Sequence, residues 1–488
     1  MSNQADVIVV GAGNAALSAA ASAAEAGARV IVLEKAPKSL RGGNTWFTGD
    51  IRFPWNRPED LFPLLGDMSE AEVASLREHG RPYTKAKFYD DVMNVTGGRS
   101  DPELLQTLVD GSYDTVSWMA SKGHRWVGSW ANPSASHALR LNGGGAALSD
   151  KWFEIVEALG VDVRYEHGAI ALRQDDKGSI SGVRVLGPEG FLELEAPSVV
   201  LASGGFEANP AMRAAYLGPG WDTVKVRGTP FNTGDGLNMA MEIGAVPHGQ
   251  WTGVHATPQD FSLPATANRA ASASMEYRRH EYPWCIMVNQ RGERFVDEAA
   301  NLRALTYATV GREILRQPGG IAFQIFDKKA MDLLAGAGFS YRNATMARAD
   351  TLEELAEALE IDPERLARTV AEYNAAVQPG DFDPSRPDGK HTEGLAVPKS
   401  NWALTIDEPP YEGYATVCGI TFTFGGLRID TKARVQNVAG RPIPGLYAAG
   451  EIVGGLFYDN YPGGSGMTAG AHFGRIAGAE AAARAAVG

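Results

Sequence analysis

The chain has 488 residues, 57 of them glycine, and a formal net charge of −13; glycine is well above its usual ~7%. A hydrophobic fraction of 44% is enough for a large folded core, and an acidic chain without a Lys/Arg run argues against nucleic acid as the main partner. The two cysteines, Cys285 and Cys418, lie far apart, which excludes an iron–sulfur cluster, a Cys-rich zinc site and a disulfide framework, so we predict no metal site.

The first residues, Met1–Asp6, lack the basic region and apolar core of a secretory signal. The sequence contains no run of about 18 or more apolar residues that could span a bilayer. We therefore expect a cytoplasmic protein with no transmembrane segment, peripheral to a membrane only through a partner.

Residues 6–34 have the pattern of a dinucleotide-binding β-α-β unit. Residues 6–10 are a short apolar run typical of a buried parallel strand, residues 14–26 form an alanine-rich helix, and residues 29–33 form a second strand. The unit ends in Glu34, about 20 residues beyond the glycine turn, where an acid accepts a hydrogen bond from a ribose hydroxyl.

The turn between the first strand and the helix has small residues at the three places that a dinucleotide needs. Gly11 allows a tight turn, Gly13 lets the backbone approach a pyrophosphate, and Ala16 lets helix and strand pack closely. The N–H groups at the start of the helix, near Asn14, are predicted to face the phosphates.

Glycines elsewhere in the chain favour FAD over a nicotinamide dinucleotide. The pair Gly42–Gly43 follows the second strand, where a flavoprotein chain passes close to the cofactor. At the other end of the chain, residues 445–451 read as a short strand ending in an acid, and residues 462–467 open a helix. The N-terminus of that helix can stabilise negative charge on a reduced flavin ring. We therefore expect both ends of the chain in one flavin site.

These motifs resemble the flavoprotein superfamily of fumarate reductase, succinate dehydrogenase and 3-ketosteroid dehydrogenase. The resemblance covers nearly the whole chain and is closer to the tricarballylate dehydrogenase branch. Its most specific stretches are residues 41–48, 391–395, 409–411 and 419–427.

The resemblance implies an α/β fold in which a Rossmann-like FAD-binding domain of the GR2/fumarate reductase type is interrupted by an inserted α+β capping domain. We place the first part of the FAD-binding domain at residues 1–253, the capping domain at 254–421 and the second part of the FAD-binding domain at 422–488. Inside the cap, a capping-box pattern at 351–354 and an Asp-Pro at 362–363 each predict the start of a helix.

The cofactor that the resemblance implies is non-covalent FAD. Several superfamily members attach FAD through a His near the second glycine motif, whereas residues 41–50 contain no His and Asn44 stands in its place. The predicted cofactor-binding residues come from the glycine motifs, the acids that follow strands and the turn before residue 237. They are Gly11, Gly13, Asn14, Ala15, Ala16, Glu34, Lys35, Gly42, Gly43, Asn44, Thr45, Ser203, Gly204, Gly205, Asp235, Glu451, Ser465, Gly466 and Met467.

The resemblance also implies a reaction. The branch oxidises a CH–CH bond next to a carboxylate, converting tricarballylate to cis-aconitate, with one hydrogen removed as a proton and the other passed as a hydride to flavin N5. An external acceptor then takes the electrons, either a membrane-associated iron–sulfur/haem protein or a quinone route.

Candidate residues for this chemistry follow from the same resemblance. Arg303, downstream of an Arg-Phe-x-x-Glu motif, stands one residue farther from the Glu than the family's catalytic Arg. Glu276 aligns with the Glu of the family's proton relay. His255 and Thr257 align with a His-Pro-Thr motif that contacts substrate carboxylate, and Arg278 is a further candidate for substrate binding.

Two positions depart from the fumarate reductases. Residues 421–423 and Tyr461 stand where those enzymes carry the His and Arg that clamp the second carboxylate, so we do not expect fumarate or succinate as the substrate. Arg52 and Arg140 are predicted to bind substrate instead, with Arg227 as another cation. Tyr461 lies in a Tyr-Pro-Gly motif that resembles the ketosteroid dehydrogenases, where this Tyr contributes to deprotonation.

Three functions stay open at this point. The first is desaturation of a carboxylic acid of the tricarballylate type. The second is α,β-dehydrogenation of a ketone of the 3-ketosteroid or cyclohexanone type, using Tyr461. The third is a flavin-binding electron-transfer module that acts with a partner.

Overall fold

The computed structural model describes residues 2–128, 139–264, 277–336 and 344–487. Its helices are α1 (Asn14–Glu25), α2 (Glu70–His79), α3 (Lys85–Val95), α4 (Pro102–Ser121), α5 (Gly144–Ala158), α6 (Pro210–Leu217), α7 (Asp235–Glu242), α8 (Tyr307–Leu315), α9 (Lys328–Gly336), α10 (Leu352–Ala358), α11 (Pro363–Ala376) and α12 (Ser465–Ala485). Its strands are β1 (Val7–Val10), β2 (Val30–Glu34), β3 (Asp50–Ile51), β4 (Trp126–Val127), β5 (Leu139–Leu141), β6 (Asp162–Tyr165), β7 (Gly168–Gln174), β8 (Ile180–Gly187), β9 (Gly190–Glu195), β10 (Ser198–Leu201), β11 (Lys225–Val226), β12 (Pro247–Asp260), β13 (Ile286–Asn289), β14 (Ile321–Phe326), β15 (Met346–Ala349), β16 (Tyr411–Leu427), β17 (Arg434–Gln436) and β18 (Pro442–Ala448).

A six-stranded sheet in the order β17-β18-β10-β1-β2-β6 carries the first and last parts of the chain. β1 pairs in parallel with β2 on one side and with β10 on the other, so that Val9 lies opposite Val32 and Val200. All four residues of β1 are buried. A parallel sheet covered on both faces requires continuous apolar strands, which is the pattern that the sequence shows. The predicted β-α-β unit and the mixed α/β fold class are confirmed.

The N-terminal and C-terminal helices pack against each other at very short distance. A Cβ added at Gly474 would lie 2.3 Å from the carbonyl oxygen of Ala15, and one at Gly478 would lie 2.1 Å from that of Ala19. Only glycine lets two helix backbones approach this closely. The glycines of α12 therefore bring the C-terminal segment onto the N-terminal β-α-β unit.

A second, mixed sheet is centred on the 17-residue strand β16, which pairs with β11, β12, β14 and β15. β12 and β16 run antiparallel, with His255 opposite Phe422. The boundaries placed at 253/254 and 421/422 both fall inside these two strands, where the chain crosses between the sheets. The division into domains stays a prediction.

The two predicted cap helices are confirmed. Thr351 Oγ1 accepts a hydrogen bond from the Glu354 amide at 3.2 Å at the start of α10, and Asp362 Oδ1 accepts one from the Arg365 amide at 3.0 Å at the start of α11. Side-chain acceptors of this kind satisfy the first free N–H groups of a helix.

Two smaller three-stranded sheets, β3-β5-β4 and β7-β8-β9, complete the described structure. Among the described helices, none combines the length and the apolar character needed to cross a membrane.

Candidate active site

A cavity of about 1040 Å³ is lined by residues from both ends of the chain and from the mixed sheet. One end is lined by the glycine turns that the sequence predicts to bind a dinucleotide. The other is lined by charged and aromatic side chains.

Asn14, the first residue of α1, connects the three segments predicted to hold the cofactor. Its backbone N–H donates to Thr45 Oγ1 at 2.7 Å, and its side-chain amide donates to the carbonyl of Met467 at 3.0 Å. Its Oδ1 accepts from the Trp152 indole at 2.9 Å. Asn14 therefore fixes the first glycine turn, the second glycine segment and the start of α12 relative to one another.

The first turn requires glycine for two reasons. Gly11 has φ of +102°, and a Cβ added there would lie 2.4 Å from the carbonyl oxygen of Ala202 at the end of β10. A side chain would both strain the backbone and separate the neighbouring strand ends. The cavity end at β1 and β10 depends on this contact.

The acid and base after β2 also line the cavity. Glu34 is buried, and its Oε1 accepts from the Ala36 amide at 2.8 Å. Burial raises the pKa of Glu34 to about 7. Lys35 Nζ contacts Asp235 Oδ2 at 2.6 Å and Thr233 Oγ1 at 2.5 Å, so that two predicted cofactor residues are paired with each other.

The residues at this end fit FAD. The backbone of the glycine turns lines the cavity, and a Cβ on Gly43 would meet no protein atom within 4 Å, so it would occupy the cavity itself. Residues at the N-termini of α1 and α12 line the cavity, and both helix ends would favour negative charge on bound FAD.

Three arginines line the charged end of the cavity: Arg227, Arg278 and Arg303. The buried Nε atoms of Arg227 and Arg278 have no hydrogen-bond partner among the described residues. Loss of solvent, and then the nearby charges of Arg227 and Arg303, lower the pKa of Arg278 to about 9, whereas Asp50 raises it. The other guanidinium nitrogens of Arg227 donate to Thr421 Oγ1 at 3.3 Å and to the Phe47 carbonyl at 3.2 Å. Guanidinium groups gathered at one end of a cavity favour an anionic ligand, because carboxylates accept charge-assisted bonds from them.

Two histidines add neutral polar groups to the arginines. His255 is buried and stacks on Phe422 at a centroid distance of 5.3 Å, and neither of its ring nitrogens has a hydrogen-bond partner among the described residues. Burial, and then Arg227, lowers its pKa well below 6.5. Burial, and then the surrounding arginines, also lower the pKa of His280 well below 6.5. Both rings are therefore neutral and add no charge to that of the arginines.

A pair of tyrosines lies beside these groups. The hydroxyls of Tyr307 and Tyr461 are 2.5 Å apart, and His255 contacts both rings at 5.0 and 5.2 Å. Burial raises the pKa of both tyrosines, and for Tyr461 the neighbouring Tyr307 adds to the rise, whereas Arg227 opposes it. The pair is protonated at neutral pH and can donate a hydrogen bond to a developing oxyanion.

Two carboxyl groups are buried together next to the second glycine motif. One amide nitrogen, Asn232 Nδ2, is 2.7 Å from Glu207 Oε1 and 3.3 Å from Glu451 Oε2, and Asn44 Nδ2 is 2.7 Å from the same Glu207 oxygen. Burial, and then the charge of Glu451, raises the pKa of Glu207 well above 4.5. The pair therefore retains a proton, and Glu451 lines the cavity.

Most of the predicted residues are brought to this cavity. Those that line it are Gly11, Gly13, Asn14, Ala15, Glu34, Lys35, Gly43, Asn44, Thr45, Ser203, Gly204, Asp235, Glu451, Gly466, Met467, Arg140, His255, Arg278, Arg303 and Tyr461. Ala16, Gly42, Gly205 and Ser465 lie immediately behind the lining. Glu276, predicted to act in proton transfer, lies outside the described residues.

Two residues predicted to bind substrate do not reach the cavity. The buried guanidinium of Arg52 donates to the Gly463 carbonyl at 2.7 Å and to the Tyr83 hydroxyl at 3.0 Å, and lies 3.8 Å from Asp91. Arg52 thus holds the loop that precedes α12. Thr257 points into the mixed sheet, where its hydroxyl accepts from Gln259 at 2.7 Å.

Sequence reasoning missed several residues of the site: Asp50, Glu207, His280, Glu281 and Tyr307. Glu207 had a local signal, because it stands two residues after the glycine pair 204–205. Tyr307 had no such local signal, because nothing around it in the sequence indicates that α8 begins next to Tyr461.

Comparison with known proteins agrees with this site. A model of the FAD binding domain family matches residues 6–467. The cytochrome-type fumarate reductase of Shewanella frigidimarina is 32% identical, over 98% of this chain and 77% of that protein. The 4-oxocyclohexanecarboxylate 2-dehydrogenase of Sinomonas cyclohexanicum is 28% identical, over 95% of this chain and 90% of that protein. The solved open conformation of a flavocytochrome c3 fumarate reductase has a TM-score of 0.74 at 29% identity, over 99% of this chain and 78% of that chain.

Proposed function

Because the chain belongs to the FAD-binding flavoprotein family that includes fumarate reductase, and is therefore an FAD-dependent oxidoreductase acting on C–C bonds, we propose that it desaturates a CH–CH bond next to a carboxylate. The observation that carries the proposal is that Arg227, Arg278 and Arg303 line the same cavity as the tyrosine pair. Tricarballylate, which the motifs of the chain suggest, is one acid of this class, and three cations suit its three carboxylates.

The arginines bind and orient the substrate in this proposal. Arg227 and Arg278 both line the cavity, and their positive charges bind a carboxylate of the substrate there. Charge-assisted bonds of this kind are roughly twice as strong as neutral ones. His255 lines the same end of the cavity as a neutral ring.

The reaction removes two hydrogens and two electrons from the substrate. Bound FAD supplies the acceptor for the hydride. The proton leaves the carbon next to the carboxylate, and we assign its transfer to Arg303 acting as a relay. Because the guanidinium is already protonated, it gives one proton to the buried Glu281 carboxylate, 3.5 Å away, as it takes the proton of the substrate. The protonated Tyr461 stabilises the enolate charge that develops on the substrate oxygen. An external iron–sulfur/haem protein or a quinone takes the electrons and restores the cofactor.

Anaerobic bleaching of the flavin tests the proposal. Tricarballylate should bleach the holoprotein and yield cis-aconitate. Arg303→Ala should reduce the bleaching rate by about 100-fold or more while keeping the flavin bound. Arg291→Ala, which removes an exposed arginine outside the cavity, is the matched control and should bleach at the wild-type rate. An unchanged rate in Arg303→Ala contradicts the role of Arg303.

A ketone substrate is the second candidate, supported by the tyrosine pair. Two hydroxyls 2.5 Å apart can bind a carbonyl oxygen and stabilise its enolate without any carboxylate on the substrate. The similarity to a dehydrogenase named for 4-oxocyclohexanecarboxylate points the same way. Bleaching by cyclohexanone-type ketones but by no acid favours this candidate. If neither class bleaches the flavin, an electron-transfer module is the better account.

A further inference from the structure

The cavity continues beyond the charged end into an apolar region. We call it the apolar chamber and define it by Pro283, Trp284, Leu302, Leu334, Pro384 and Trp402, all of which line the same cavity. They come from four separate segments: the turn before β13, the turn before α8, helix α9 and the loops before β16.

The chamber wall is fixed and offers little hydrogen bonding. Trp402 is 3% exposed, and its indole N–H donates to the carbonyls of Asp383 at 2.8 Å and Arg386 at 2.9 Å. Trp284 packs against it at a centroid distance of 5.2 Å. The Trp402 N–H is used, and the leucine and proline side chains have no polar atoms. Apart from the indole N–H of Trp284, the chamber side chains therefore present carbon surface to the cavity.

The chamber begins where the charged end stops. Glu281 and Pro283 are two residues apart in one turn, and Leu302 directly precedes Arg303. The ion pair between Arg303 and Glu281, 3.5 Å long, lies at this border. A molecule held by the arginines therefore has carbon surface within reach on the side of Arg303.

We propose that the substrate is an amphipathic carboxylic acid, with its carboxylate on Arg227 and Arg278 and an aliphatic or aromatic ring in the apolar chamber. This inference rests on the proposed desaturation next to a carboxylate and narrows its substrate class. A polar group placed in the chamber would lose its water and gain at most the Trp284 indole N–H as a side-chain partner. A ring placed there removes apolar surface from water on both molecules. Tricarballylate has no such group, so the two substrates give opposite results in one assay.

The assay follows reoxidation of the dithionite-reduced holoprotein, with excess reductant removed, by unsaturated acids. Two of the acids, cinnamate and 3-cyclohexylacrylate, carry a ring. Crotonate carries a methyl group in place of the ring, and cis-aconitate carries further carboxylates. The ring acids should reoxidise the flavin at least about tenfold faster than crotonate at low concentration, because a hydrophobic pocket gains about that factor for a modest apolar extension.

Two variants tie the preference to the chamber. Trp284→Ala, at a half-buried ring, should bring the ratio of ring acid to crotonate towards one. Leu302→Asn, which keeps the side-chain size but adds polar atoms, should do the same if Trp284→Ala fails to fold. Trp118→Ala removes a half-buried tryptophan of α4 outside the cavity and is the matched control, which should keep the wild-type ratio.

The outcomes separate the two proposals. A ring preference that falls in the chamber variants and persists in Trp118→Ala supports the amphipathic substrate. The amphipathic substrate is wrong if cis-aconitate reoxidises the flavin fastest, or if ring acids and crotonate do so at equal rates. Either result leaves the proposed desaturation next to a carboxylate unaffected. Failure of every acid to reoxidise the flavin removes both.

Discussion

The buried carboxyl pair gives a prediction about stability and pH that can be worked out from the structure. Glu207 is 0% exposed, and a single amide nitrogen, Asn232 Nδ2, contacts both its carboxyl group and that of Glu451. Two negative charges that contact the same amide nitrogen inside the protein repel each other strongly, so the folded protein keeps a proton on the pair. The pKa of Glu207 is accordingly raised well above its ordinary value of 4.5.

The sign and size of the effect follow from proton linkage. In the unfolded chain the carboxyl ionises above pH 4.5, whereas in the folded chain it stays protonated. Unfolding then releases a proton, so the stability that this group contributes is present below pH 4.5 and is lost as the pH rises towards the folded pKa, by about 1.4 kcal/mol per pH unit. Glu207→Gln keeps the acceptor oxygen for Asn44 and Asn232 but has no proton to release. The stability of the variant relative to the wild type should therefore rise with pH above pH 4.5, until the pH reaches the folded pKa.

Urea unfolding of the holoproteins at several pH values measures this difference, with FAD content determined in parallel. Glu357→Gln, at an exposed glutamate of α10, is the control and should show no gain with pH. Glu207→Ala should be less stable than Glu207→Gln at every pH, because Asn44 and Asn232 each lose one of their two acceptors, at about 1 kcal/mol for each lost hydrogen bond. A Glu207→Gln variant whose stability runs parallel to the wild type from pH 5 to pH 7 would refute the shared proton.

Three further substitutions test the remaining parts of the site. Gly11→Ala places a Cβ 2.4 Å from a backbone carbonyl and should abolish FAD binding, whereas Gly27→Ala, also at positive φ but with no atom within 4 Å, should cost about 1–2 kcal/mol and keep FAD; equal FAD content in the two variants contradicts the steric argument. Arg227→Gln removes a charge and should raise the KM for an acid substrate by about tenfold or more with FAD content unchanged; an unchanged KM excludes its role in binding carboxylate. Tyr461→Phe removes one hydroxyl of the tyrosine pair and should lower kcat by about 100-fold with the flavin still bound; full activity makes Tyr461 a packing residue.

Local sequence patterns were enough to predict the residues at the nucleotide end of the cavity. Gly11, Gly13 and Glu34 could be assigned because their roles are set by the turn and the strand on either side, all within about 30 residues, as is general for β-α-β units. The start of α12 could be assigned because a glycine turn before a helix is also a local feature. The structure joins these segments through Asn14, as the sequence predicts for one flavin site.

Residue type alone did not separate structural from site arginines. Arg52 and Arg227 each directly follow a two-residue strand, β3 and β11. Arg52 is nevertheless bound to Gly463, Tyr83 and Asp91 behind the cavity, whereas Arg227 lines it. The difference depends on which carbonyls and carboxylates from distant segments reach each guanidinium, and a sequence does not contain those distances.

By itself the sequence therefore determined the α/β fold, the FAD site and the class of oxidoreductase, because each depends on short motifs whose geometry is local. Only the tertiary structure placed Arg278, Arg303 and Tyr461 around one volume, set Tyr307 against Tyr461, and continued that volume into the apolar chamber. These arrangements arise where β12 and β16 carry distant segments to one end of the cavity. The substrate class depends on them, because charge and apolar surface select a ligand only through their positions relative to each other.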